Sequence, residues 1–79
     1  LAAVAGAHST AGAAYEKAYG ELADPAYLFA AGKAYEEAAA WASAARVYTI
    51  LANRPLAEDE LRTANEQLAA ATARLEGVL

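Results

Sequence analysis

Apolar residues recur at three- and four-residue spacing along most of this chain, which is the period of an α-helix with one buried face. Leu28, Ala31, Gly32, Tyr35 and Ala38 form one such stripe, and Trp41, Ala44, Ala45, Tyr48 and Leu51 repeat the idea. Further on, Leu61, Leu68 and Leu75 stand seven apart, with Ala64, Ala71 and Val78 three residues after each, a leucine/alanine heptad seam. No stretch alternates β-branched and polar residues, so no strand is expected. Two prolines divide the helical pattern. Asp24-Pro25 sets a good N-cap before a proline at the first helical position, where its missing N–H would have had no partner. Arg54-Pro55 makes a second break, and Glu58-Asp59-Glu60 then places negative charge where a helix exposes its first N–H groups. Gly77 is the expected stop. The pattern predicts an all-α chain of about four helices, over residues 7–23, 25–38, 40–53 and 56–76.

Composition sharpens this picture. Of the 79 residues, 58% are hydrophobic, and 26 are alanine, so helix contacts must be made largely by small side chains. Helices faced with Ala and Gly pack near the short end of the usual range, about 8 Å between axes, with Tyr and Trp filling the gaps. Gly32 fits that reading: it costs about 1 kcal/mol of helix propensity relative to alanine, and close approach of a neighbouring helix would compensate. Three heptads are too few for a coiled coil, so the leucine seam is expected to be buried within the domain, with self-association as the alternative.

Charge and composition also exclude functions. Ten acidic residues against six basic ones argue against a phosphate-backbone binder, so no nucleic acid is expected as partner. The absence of cysteine removes disulfide, thiolate-metal and thiol-nucleophile chemistry. The uncharged opening stretch is shorter than the ~20 apolar residues of a membrane span, so no membrane insertion is expected. Without an initiating Met, Leu1 reads as a processed or truncated start. Alanine and arginine enrichment, with two lysines and one isoleucine, suggests a bacterial coding sequence, with the cell envelope or exterior slightly favoured over the cytoplasm.

Sliding the sequence on itself by thirty-three residues aligns Ala11-Gly12-Ala13-Ala14-Tyr15 with Ala44-Ala45-Arg46-Val47-Tyr48, a period that calls first for stacked repeats. The stretch from Pro25 to Tyr48 resembles one tetratricopeptide repeat, with Leu28, Gly32, Ala34 and Tyr35 on its first helix and Trp41, Ala44 and Tyr48 on its second. Ala11, Tyr15 and Ala18 match the second helix of an earlier repeat, and Gly6 falls where that family places its inter-helix glycine. The resemblance implies antiparallel hairpins stacked as a solenoid: half a repeat over 1–23, a full one over 24–55, and a capping helix over 56–79. Ala39 replaces the second inter-helix glycine, so one continuous helix through Trp41 is an alternative, as is a generic alanine-rich helical hairpin.

Catalysis finds little support. His8, the single histidine, has no carboxylate within seven residues on either side; a pocket joining it to one would revive an enzymatic reading. Ser9, Thr10 and Ser43 read as caps or helix surface, and adjacent Glu36 and Glu37 point about 100° apart on a helix. Neither metal nor cofactor is expected. By the family resemblance, a partner-binding groove would be faced by Ala26, Phe29, Lys33, Glu36 and Glu37. Phe29 and Tyr27 lie off the Leu28/Gly32/Tyr35 stripe, either as interface anchors or packed on a flanking helix. The basic and polar clamp with which some relatives of that family hold a C-terminal carboxylate is not recognisable. About one and a half repeats plus a cap fall short of the roughly three that such stacks need. Tyr15 and Tyr19, with the seam residues Leu61, Leu68 and Leu75, are therefore candidates for self-association. Two readings follow: a non-catalytic scaffold that binds a protein or peptide helix, and a homo-oligomeric subunit assembling through its unfinished ends into a ring or filament.

Overall fold

The computed structural model describes residues 2–77, with side chains from residue 7 onward; Val78 of the seam lies outside them. The chain is all α, with helices α1 (Ala2–Leu22), α2 (Pro25–Glu37), α3 (Trp41–Ala52) and α4 (Glu58–Glu76), and no strand among the described residues. Each helix packs on the next in sequence, giving a flat stack of 36 × 31 × 15 Å. Its thin direction is under two helix diameters.

The helix ends follow local chemistry. Asp24 caps α2 as expected: its side-chain oxygen accepts the Ala26 N–H at 3.0 Å, and Pro25 takes the first helical position. At the head of α4 the Glu60 carboxylate reaches back to the Ala57 N–H at 3.1 Å, but Ala57 has no side-chain oxygen to return the bond. That is half of a capping box. Gly77 closes α4 in the left-handed conformation, φ 72°.

One expectation needs correction, and one alternative is set aside. Helix α1 begins at Ala2 rather than residue 7 and runs unbroken through Gly6. Alanines on both sides have the highest helix propensity, and the ~1 kcal/mol cost of one interior glycine does not end such a helix. Nor is there a continuous helix through Trp41. The chain turns at residues 38–40, where Ala39 adopts φ 56°. The Ala40 N–H donates to the Tyr35 carbonyl at 2.8 Å and the Ala39 N–H to the Glu36 carbonyl at 3.0 Å, a Schellman ending built without glycine. A left-handed alanine costs about 1 kcal/mol. The gain lies in packing, because two apolar stripes on one straight rod could never face each other.

That packing forms the core. Leu28, Ala31 and Tyr35 of α2, Ala44, Val47, Tyr48 and Leu51 of α3, and Ala64 and Ala71 of α4 make one buried cluster. The heptad seam is thus turned inward on its alanines, with Leu68 packed against the cluster. Among the described residues helix α1 adds no fully buried hydrophobic side chain to this cluster; its half-buried Tyr19 packs against it, and Gly12 is buried.

Candidate functional site

Helix α1 is held by a joint assembled from three helices. The Tyr35 ring of α2 lies over the bare Cα of Gly12, where an added Cβ would stand 2.7 Å from Tyr35 Cε1. One turn further along α1, Glu16 accepts a hydrogen bond from the Tyr35 hydroxyl. Arg46, reaching from α3, closes a two-toothed ion pair on the same carboxylate, Nη1 to Oε1 at 2.6 Å and Nη2 to Oε2 at 2.9 Å. Such forked pairs fix geometry as well as charge. The Arg46 guanidinium holds Glu16 below the usual carboxylate range, against partial burial and with help from the Tyr35 hydroxyl. Burial, followed by the neighbouring carboxylate, pushes the Tyr35 phenol up.

The same construction appears between α2 and α3. Tyr48 lies over Gly32, whose added Cβ would stand 2.7 Å from Tyr48 Cε1. Glu36, one turn after Gly32, sits at the Tyr48 hydroxyl; burial first, then that carboxylate, drives the phenol well above its ordinary value.

Beside this joint an open groove of about 240 Å³ runs between α1 and α2. His8, Ala11 and Tyr15 line it from α1, and Ala30, Lys33, Ala34 and Glu37 from α2. His8 Nδ1 lies 3.3 Å from Glu37 Oε2 at one end, with side chains 33% and 44% exposed. Tyr15 is 40% exposed, and Lys33 has no ion-pair partner among the described residues. With Glu37 turned to His8 at one end, the Lys33 ammonium and the Tyr15 phenol are the groups of the trough suited to an anionic group.

Of the residues expected to face a groove, Lys33 and Glu37 line this one. Ala26 is exposed elsewhere, Glu36 is engaged by Tyr48, and Phe29 is half-buried and packs against the core. Tyr27 is half-buried. Among the self-association candidates, Tyr19 packs within the chain beneath Arg54, whose guanidinium carbon lies 5.6 Å from its ring centre. Leu61 is half-buried, Leu68 packs on the core, and Leu75 is 55% exposed. Trp41 carries Arg74 over its ring at 5.3 Å, tying α3 to α4.

The chain holds a closer internal match than the thirty-three-residue one. Displaced by twenty, Ala11-Gly12-Ala13-Ala14-Tyr15-Glu16-Lys17-Ala18 meets Ala31-Gly32-Lys33-Ala34-Tyr35-Glu36-Glu37-Ala38, with six of eight positions identical. Each copy supplies the glycine and glutamate of one joint. The partnership of His8 with Glu37 had no such signal, since it joins residues of different helices.

Among the described residues no helix is long and apolar enough to cross a membrane, and no three His, Cys, Asp or Glu side chains gather as metal ligands. Comparison with protein-family models, curated proteins and solved structures found no match.

Proposed function

We propose that this chain is a non-catalytic interaction module, a tetratricopeptide-like stack that holds a protein or peptide helix along α1. The carrying observation is the uncovered α1 side of the fold, with Tyr15 exposed at a groove that also presents Lys33. Half-exposed aromatics beside complementary charge are the usual anchors of helix recognition. His8 and Glu37 do form the histidine–carboxylate pair that an enzymatic reading asks for. Both side chains are open to water, and an open trough gives a developing charge no dry, preorganised surroundings. The exposed pair better serves to orient a docked segment.

Selection of displayed helical peptides on the immobilised protein, with binding mapped by amide chemical shifts, tests this reading. Expected are binders that shift His8, Tyr15, Lys33 and Glu37 and that lose affinity for Tyr15→Ala. Selection that yields only clones indifferent to Tyr15→Ala overturns it. Self-assembly is the competing reading, favoured by Leu75, which is exposed on α4 far along the stack from α1. It requires a sedimentation coefficient that rises with concentration, whereas the interaction module stays monomeric.

A further inference from the structure

Tyr15 and Tyr35 hold the same place in the twice-written segment, yet Tyr35 is 7% exposed and Tyr15 40%. The difference is a helix: Tyr35 has α1 over it, seated on Gly12 with its hydroxyl on Glu16. Neighbouring positions agree, since Ala34 is buried on α2 while its counterpart Ala14 is exposed on α1.

The cation shows the same register. Arg46 stands two residues before Tyr48 on α3 and reaches back across α2 to Glu16 on α1. Lys33 stands two residues before Tyr35 on α2 and lines the groove beside Tyr15 on α1. In the completed joint, a tyrosine from one helix and a cation from the next hold a single carboxylate. At the groove, a tyrosine and a cation with that same relationship face solvent.

We propose that the groove is the next joint of this ladder, completed by a helix of a partner protein that carries a glycine and, four residues on, a glutamate. Tyr15 seats over the glycine, and the carboxylate meets the Tyr15 hydroxyl and the Lys33 ammonium. The partner helix runs antiparallel to α1 along Ala7, Ala11, Ala14 and Ala18, which share one side of α1 with Tyr15. A second copy of the chain does not supply this helix. Gly12/Glu16 and Gly32/Glu36 are its two glycine–glutamate pairs at that spacing, and both are engaged by its own Tyr35 and Tyr48.

This inference deepens the interaction reading and rests on it, and the experiment separates the two. The probes are alanine-rich helical peptides with a central Gly-Ala-Ala-Ala-Glu, the same peptide with Gln for Glu, and one with Leu for Gly. Binding to the full chain is measured by fluorescence anisotropy, with sedimentation equilibrium alongside. The glutamate peptide is expected to bind on the order of tenfold more tightly than the glutamine peptide, the size of one charge-assisted hydrogen bond. Lys33→Met removes that preference while leaving helix content unchanged, since Lys33 is exposed. The leucine peptide binds weakest because its side chain meets the Tyr15 ring. Equal affinities of the three peptides for the groove would overturn the joint and keep the interaction module. Failure of all three, together with an unproductive peptide selection, overturns both. A dimer abolished by Tyr15→Ala makes a second copy the occupant and overturns the proposal.

Discussion

Single residues carry most of the specificity of this fold, and its glycines show why context decides their worth. Gly20 and Gly32 both interrupt alanine-rich helices, and on propensity alone either gains about 1 kcal/mol when changed to alanine. At Gly20 the added Cβ meets no side chain or neighbouring helix within 4 Å among the described residues, whereas at Gly32 the buried Tyr48 ring blocks it. Gly20→Ala is therefore expected to stabilise the chain by about 0.5–1 kcal/mol, and Gly32→Ala to destabilise it by about 1–2 kcal/mol through overpacking. Urea unfolding of the two variants checks both signs. Glu16 supplies a pH prediction. Its pKa is depressed in the folded state, so its contribution is fully present above the unfolded value, near pH 4–5, and is lost as pH falls through the lower folded value. Glu16→Gln should flatten the acid side of the stability profile while lowering the plateau. Tyr35 and Tyr48 act in the opposite direction: their pKa values are raised, so stability is present below about pH 10 and declines as pH climbs beyond it. Their tyrosinate absorbance should emerge together with the loss of helical circular dichroism.

At the scale of elements, the ends of the helices are less well made than their faces. α1 and α2 are both followed by alanines in the left-handed region, Ala23 at φ 55° and Ala39 at φ 56°. Glycine removes the Cβ clash there at some entropic cost in the unfolded chain, so Ala39→Gly should add about 0.5–1 kcal/mol. The head of α4 lacks half of its box, and Ala57→Ser would supply an acceptor for the Glu60 N–H, adding about 1 kcal/mol. Midpoints of thermal unfolding for the two variants and their combination measure these gains, and the sites flank opposite ends of α3, a helix long enough to keep them apart in space so that the gains add.

For the whole molecule, the distribution of burial matters most. The fully buried core belongs to α2, α3 and α4, and α1 is fastened by the half-buried Tyr19, the Gly12 contact, the Glu16 joint and the half-exposed His8–Glu37 pair. Few buried apolar contacts mean low local stability. Native-state hydrogen exchange should accordingly find the α1 amides opening well below the global unfolding energy reported by α3. Arg46→Met should widen that gap: Arg46 is 52% exposed, so its cost is discounted to about 0.5 kcal/mol, and that cost falls on α1. A helix that opens so readily is suited to being tightened by a partner.

How much of this was legible in the chain depends on the range of the interaction. Periodicity, Asp24-Pro25, Arg54-Pro55 and Gly77 determined four helices and most of their ends, because capping and amphipathic patterning are settled within a turn or two of backbone. The small-residue stripes likewise foretold close packing around Gly32, and the twenty-residue match stood in plain letters. Tertiary structure alone decided that Ala39 would turn left-handed, that Glu16 would gather Tyr35 and Arg46, and that His8 would find Glu37. Each of these depends on which helix lies beside which. A local pattern states which face is apolar, but the neighbour that covers it is chosen by the summed burial of the whole stack.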